Sequence, residues 1–204
     1  MIWFEKLVAV SVIVAWPVIP IYWLPMRLWP GLKKTLGPFY LIVAGLIWLL
    51  VALALWSNLD SLLGYQVDFP SFLRIFGLFF LILGLLLQIA MAFKLGRRIA
   101  GIHELTGEEA CLETSFPFNL CRHPTYLSHF MMFFGAAVFS GYLVLFVIAL
   151  LDVLITIFLM IPREESELER RFGKPYLQYR QKTNMILPDF NKLFSFFFRN
   201  GKHA

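Results

Sequence analysis

Residues 126–161 read YLSHFMMFFGAAVFSGYLVLFVIALLDVLITIFLMI, and their only acidic or basic side chains are His129 and Asp152. The run is divided near its middle by Ser140-Gly141. A tight turn there folds it into two antiparallel helices, Tyr126–Phe139 and Tyr142–Ile161. The second matches the roughly 20 residues that cross a bilayer core; the first is short and is expected to lie half-buried against its neighbours. Three more apolar segments precede the pair, at Leu7–Leu24, Pro38–Trp56 and Phe72–Leu95. The expected fold class is therefore all-α: a polytopic membrane protein with about five transmembrane helices and a C-terminal cytoplasmic helical extension.

Composition agrees. Of 204 residues, 59% are hydrophobic, where soluble domains run nearer 45–50%. With so much apolar sequence, the net charge of +5 reads as loops flanking membrane spans, and nucleic acid is not expected as a partner. Assigning alternate loops to opposite sides puts three Lys/Arg in loop 25–37 (Arg27, Lys33, Lys34), four in loop 94–125 and nine after 161. Only Lys6 and Arg74 fall on the other side. Lys and Arg collect on the cytoplasmic side, so the N-terminus is expected outside, with loop 94–125 and the tail cytoplasmic. Pro17, Pro20 and Pro25 in the first segment suit a kinked resident span better than a cleaved signal. Cys111 and Cys121 share a loop that faces the cytosol, where a disulfide is not expected. They form no tight ligand pair for a metal.

Three stretches follow: 1–95 with the first three spans, 96–190 with a loop, the hairpin and the cytoplasmic extension, and 191–204 as an interfacial tail. The tail ends in FSFFF (194–198), an aromatic anchor for the membrane surface. In the extension, Gly173 is placed just past a helix end and Pro175 at the start of the next helix.

Two polar clusters flank the hairpin. Arg122-His123-Pro124-Thr125-Tyr126 puts a cation and an imidazole just before a helix, with proline pre-setting its first turn. Arg163-Glu164-Glu165 begins where the next helix leaves the membrane. Because the helices are antiparallel and tightly linked, the clusters should lie side by side. A ligand carrying both an ammonium and a carboxylate would find matched partners there.

These residues resemble the isoprenylcysteine carboxyl methyltransferase family and its prokaryotic relatives, integral-membrane enzymes that use S-adenosylmethionine (AdoMet). The shared pattern is RHPxY, then Glu164-Glu165, Leu168, Phe172-Gly173, Tyr176, Tyr179 and Pro188, over about residues 100–190. The resemblance implies an AdoMet pocket lined by His123, Pro124, Thr125, Tyr126 and Glu164, with Glu164 toward the ammonium. LETSFPF (112–118) resembles a further family motif and adds Leu112 and Phe118. Spacing alone adds Ala110, Cys111, Glu113 and His103. Arg163 and Glu165 are the catalytic candidates. Arg163 stands one turn from Met160, which occupies the place of an arginine that faces the substrate carboxylate in the prenylcysteine enzymes. Phe116 and Ser128 also depart from the family pattern, each where a glycine is usual.

The implied reaction is methyl transfer to a membrane-embedded or lipidic acceptor, with membrane lipids as partners. A carboxylate acceptor is already ionised and needs no base, and O-methylation is expected. A phospholipid amine would need a histidine or glutamate to take its proton. An NADPH-dependent sterol-type reductase and a non-enzymatic membrane scaffold stay open beside it. In their bland readings, Arg122 is a positive-inside anchor, and Tyr176 and Tyr179 are packing residues.

One expectation comes from the hairpin alone. His129 lies 12 positions before Gly141 and Asp152 lies 12 after Ser140, so both reach the same depth at about 1.5 Å per residue. Ionisable groups inside a membrane are costly and usually paired. A His129–Asp152 hydrogen bond across the hairpin is predicted.

Overall fold

The structure is a computed structural model that describes residues 2–37, 39–96 and 111–199. Among these it is helical with no strand beyond one isolated bridge. The elements are α1 (Ile2–Ala15), α2 (Leu24–Leu28), α3 (Pro30–Leu36), α4 (Phe39–Ser57), α5 (Leu59–Leu62), α6 (Ser71–Leu95), α7 (Pro124–Ser140), α8 (Leu143–Ile155), α9 (Ile161–Phe172), α10 (Lys174–Lys182) and α11 (Phe190–Arg199). Four stretches are long and apolar enough to cross a bilayer: Trp3–Leu28, Phe39–Ser57, Ser71–Leu95 and Leu143–Phe172. The fifth expected span, α7, has 17 residues. It is the short, enclosed member of the hairpin that the sequence suggested, burying Phe133 and Gly135 through Ser140.

Prolines shape the first span. Pro17 and Pro20 cannot donate to the helix ladder, and the chain passes through a π-helical turn at Ile19–Trp23 before resuming as α2. The last span is continuous for 30 residues. It too carries a π-helical turn, Thr156–Met160, where α8 passes into α9. Such turns re-aim the side chains around them and often mark functional sites.

Close packing of α6 on α7 depends on small residues, as helix pairs in membranes generally do. A Cβ added at Gly84 would sit 2.8 Å from the Met132 nitrogen and the Ser128 carbonyl, and one at Gly77 2.5 Å from the Phe139 nitrogen. Gly135 faces Gly77 and Leu81 from the other helix. Ser128, fully buried in this contact, has its Oγ within hydrogen-bond distance of Gln88 Oε1 (2.5 Å) and the Thr125 carbonyl (2.6 Å), and its one proton serves one of them.

At the hairpin tip, Gly141 ends α7 with φ of 74°, a conformation that costs L-residues about 1–2 kcal/mol. A Cβ there would also collide with the Val67 carbonyl. Residues 65–67 pair with the tip: Val67 N donates to Gly141 O (2.8 Å) and Leu143 N to Tyr65 O (3.0 Å). Beside them the buried Glu5 accepts from Arg74 Nη1 at 2.6 Å.

At the opposite end, α9 stops at Phe172 with Gly173 at φ of 57°, and α10 begins with Pro175 in its first turn. Both features match the sequence reading. The hairpin's polar pair does not form. Both Asp152 oxygens are buried without a hydrogen bond, near the equally unbonded Trp16 Nε1. The His129 ring instead lies against Tyr126 and Phe133, at 6.3 and 6.0 Å between centroids. Equal depth fixed the level of the two residues but not the direction each faces around its helix.

Candidate functional site

Proline at the start of α7 leaves His123 as its N-cap, and the segment before it is tied to the C-terminal extension by main-chain bonds. Arg122 N donates to Asn184 O (2.8 Å), His123 N to Met185 O (3.0 Å), and Asp189 N to Leu120 O (3.0 Å). Tyr179 Oη donates to the Phe118 carbonyl at 2.7 Å. Loop 111–123 is thereby held over α9 and α10.

The two glutamates of α9 do different work. Successive helix residues point about 100° apart, and Glu165 turns to the inside of this clamp. Its Oε1 accepts from Arg122 Nε (2.8 Å) and Nη2 (2.6 Å) and lies 3.3 Å from His123 Nε2, while Arg180 Nε stands 3.3 Å from Oε2. Arg122 also donates to the Thr183 and Arg180 carbonyls. Glu164 instead faces a cavity. Its Oε2 accepts from Tyr126 Oη (2.8 Å), and Arg27 Nη2 lies 3.6 Å from Oε1. Arg27 also donates to Glu167 Oε2 at 3.0 Å.

That cavity, of about 240 Å³, is lined by Cys111, Leu112, Glu113, Phe118, His123, Pro124, Thr125, Tyr126 and Glu164. Nine of the residues named from the sequence are therefore brought together. His103 and Ala110 lie outside the described residues. Arg163 and Glu165 do not line the cavity: Arg163 is exposed on α9, and Glu165 is spent on Arg122 and its neighbours. Glu113 sits at the mouth, where hydrogen bonds from Ser115 and then the nearby Lys94 hold its carboxyl below the usual range.

Of the rest of the wall, Arg122, Met160, Leu168, Phe172 and Tyr179 stood in the sequence motifs without being assigned to the pocket, and the others were not singled out for it. Ile19, Trp23 and Arg27 come from the first span, Gln88 from α6, and His129, Thr156, Met160, Glu167, Arg171 and Phe172 from the hairpin and α9. A signal for the last group was present, since 156, 160, 164, 168 and 172 repeat every four residues down one helix face. Arg27 had no such signal. It read as a membrane-flanking cation.

The lining is mixed: it carries the charged Glu113, Glu164, Glu167, Arg27, Arg122 and Arg171, the aromatic Phe118, Phe172, Tyr179 and Trp23, and Ile19, Gln88, His129, Thr156 and Met160.

A family model described as "Phospholipid methyltransferase" matches residues 72–175. The matched region runs from α6 through the hairpin to the start of α10 and contains both polar clusters. The chain belongs to this family. It is thus a membrane methyltransferase family member of the phospholipid and isoprenylcysteine carboxyl type, as the motifs suggested. The chain is also similar to methanethiol S-methyltransferase 1 of Bradyrhizobium diazoefficiens, 34% identical over 95 residues, covering 43% of this chain and 32% of that protein. The matched stretch spans about a third of that relative's length. No solved structure matches the chain.

Proposed function

We propose that the protein is an AdoMet-dependent methyltransferase acting on an acceptor that reaches it through the membrane. The reading is carried by one observation: Glu164 and Tyr126, from the two separate sequence clusters, meet at 2.8 Å in the wall of a single cavity. Family membership supports the reaction class and weighs against the reductase reading.

The residues present fit the methyl donor. Glu164 offers a carboxylate to an ammonium, Arg27 and Arg171 offer cations to a carboxylate, and Phe118, Phe172 and Tyr179 offer apolar faces to a purine. AdoMet supplies an electrophilic methyl group on a sulfonium. The chain's own part is to position and to exclude water, which is where such transfers gain most of their rate. Tyr126 Oη, donating at 2.8 Å, fixes the rotamer of Glu164, and Arg27 Nη2 stands 3.6 Å from its other oxygen. His123 and Arg122 act at one remove, by holding loop 111–123 against Glu165. The charge bias of the loops supports a cytoplasmic entry for AdoMet. Ile19 and Trp23, at the kink of the first span, give the cavity an apolar wall for a lipidic acceptor.

Isothermal calorimetry on detergent-purified protein tests the reading. S-adenosylhomocysteine should bind and NADPH should not. Glu164→Gln should weaken binding by about 1–3 kcal/mol, the loss of a charged hydrogen-bond partner. An unchanged affinity would move the site elsewhere.

A further inference from the structure

Among the described residues, the first span brings one charged side chain to the cavity wall, Arg27. It lies in the last turn of α2, which packs against the π-helical turn Thr156–Met160 and against α9. Its two ion pairs are unequal. Nη1 donates to Glu167 Oε2 at 3.0 Å, whereas Nη2 stands 3.6 Å from Glu164 Oε1, beyond hydrogen-bond reach. The other Glu164 oxygen already accepts from Tyr126 Oη. Glu164 therefore meets the cavity with one oxygen committed and one facing a cation that is near but not hydrogen-bonded to it.

That loose contact sits where the proposed ligand has to bind. The amino-acid end of AdoMet carries an ammonium and a carboxylate on one carbon, so the groups that receive them must be neighbours. Arg27 and Glu164 are neighbours, but in the free protein they face each other. An ammonium arriving at Glu164 Oε1 competes with Arg27 Nη2 for it. Opening the contact costs little. Both side chains keep some contact with solvent, at 21% and 24% exposure, and ion pairs of that kind contribute little. The cavity's other arginines are worse placed. Arg171 lies seven residues beyond Glu164 along α9, about 10 Å at 1.5 Å per residue. Arg122 is held by Glu165 and by the Thr183 and Arg180 carbonyls.

We infer that Arg27 recognises the carboxylate of the methyl donor by an exchange of ion pairs: its Nη2 leaves Glu164 to the ammonium and turns to the carboxylate, while Nη1 stays on Glu167. The planar guanidinium presents donors along more than one edge, so one can hold Glu167 while another meets a second carboxylate. The 3.0 Å bond to Glu167 keeps α2 docked on α9 through the exchange. In the free protein Arg27 stands in for the ligand's own ammonium. A ligand that brings an ammonium without a carboxylate takes Glu164 from Arg27 and gives nothing back. The site thereby selects the complete amino-acid end. This inference rests on the methyltransferase reading, and it assigns part of the donor site to a span that the family model, at residues 72–175, does not cover.

The test is calorimetry on the purified full-length protein in nanodiscs with three ligands. S-adenosylhomocysteine carries the ammonium and the carboxylate, S-adenosyl-3-thiopropylamine the ammonium alone, and 5′-methylthioadenosine neither. If S-adenosylhomocysteine does not bind the wild-type protein, the methyltransferase reading fails and this inference goes with it. Where it binds, the wild type should hold it at least about tenfold tighter than the amine, the worth of a charged hydrogen bond; comparable affinities overturn the exchange. Arg27→Met should weaken S-adenosylhomocysteine by about ten- to a hundredfold and leave 5′-methylthioadenosine unchanged. The amine should bind the variant as tightly as wild type or more tightly, because nothing competes for Glu164. A residue that only docks α2 would shift all three ligands alike. That outcome, or an unchanged affinity for S-adenosylhomocysteine, leaves the cofactor reading standing and removes Arg27 from it. Should Arg27→Met fail to fold, Arg27→Lys takes its place, since it keeps a cation for Glu167 without the planar fork. Its loss should again fall on S-adenosylhomocysteine alone, and a loss shared by the three ligands, or none, overturns the proposal.

Discussion

The two ends of the helical bundle handle polar groups in opposite ways. At the hairpin tip nearly every polar side chain is satisfied by a neighbour. Glu5, 1% exposed, accepts from Arg74, which also donates to Asp68 Oδ1 (2.5 Å) and the Phe69 carbonyl (3.0 Å). Gln66 donates to the Ser140 carbonyl at 2.8 Å and reaches Glu5 Oε2 at 3.4 Å. At the other end, Glu164, Glu167, Arg27 and His129 border open space. A closed polar network fixes a fold; a polar set around a cavity is arranged for something that arrives later. Within α9 the same division falls between adjacent residues, with Glu165 sealed into a clamp and Glu164 left in the wall.

The largest expected effect breaks the closed end. Arg74→Met would leave Glu5 buried with only a long contact to Gln66, and stranding one partner of a buried ion pair costs about 3–5 kcal/mol. Thermal unfolding in detergent should show a large drop in Tm. S-adenosylhomocysteine affinity of the protein that remains folded should be unchanged. A drop in affinity at constant Tm would mean that the tip and the cavity are not separate in the sense argued above.

Next comes the glutamate pair. Glu165→Gln takes the counter-charge from Arg122, whose side chain is 10% exposed and keeps the Thr183 and Arg180 carbonyls as acceptors, so it should lower stability by about 1–3 kcal/mol and weaken cofactor binding only through the loosened loop. Glu164→Gln should do the reverse, with affinity lost and Tm within a few degrees of wild type. Unfolding and calorimetry on the same two preparations read both quantities. If the two variants were indistinguishable, the division of labour between the glutamates would fall.

How much of this was legible follows from which physical signals are local. The apolar runs, the Gly141 turn and the Gly173 stop are short-range effects of chain composition and φ, and each was read where the structure has it. The cavity's motif residues were also legible, because resemblance carries spacing along the chain. Orientation around a helix axis was not. Equal depth suggested a His129–Asp152 bond, but the two side chains face different neighbours. Phase also decided which glutamate met the cavity. Contributions from far away in sequence were hidden as well. Arg27, Trp23 and Ile19 reach the site through a proline-kinked first span, outside the region that the family model matches. No pattern near residues 122 or 164 could name them.

A smaller effect probes the tip's geometry. Gly141→Ala should cost about 1–2 kcal/mol for the left-handed backbone alone, with a further loss from the collision with Val67. Tm should fall while S-adenosylhomocysteine affinity holds. A wild-type Tm would show that residues 65–67 are not clamped to the hairpin.

The smallest effect needs no substitution and compares two thiols of one loop, Cys111 and Cys121. Cys111 is exposed and lines the cavity mouth, whereas Cys121 is buried at 2% exposure. Only the thiolate reacts with maleimide, and burial pushes the Cys121 thiol up to about 11. At pH 7.5 a maleimide should therefore modify Cys111 within minutes and leave Cys121 untouched until the protein unfolds. Raising the pH toward 10 should still leave Cys121 unlabelled in the folded protein, because its burial denies the reagent access whatever its thiolate fraction. S-adenosylhomocysteine should slow labelling of Cys111 by several-fold and leave Cys121 as it was. Run with an impermeant reagent on oriented membrane vesicles, the same reaction reads sidedness: Cys111 should be reached only from the cytoplasmic face. Labelling of Cys111 that ignores the ligand would place the ligand away from the loop. Labelling from the outer face would invert the proposed orientation, and with it the side from which AdoMet enters.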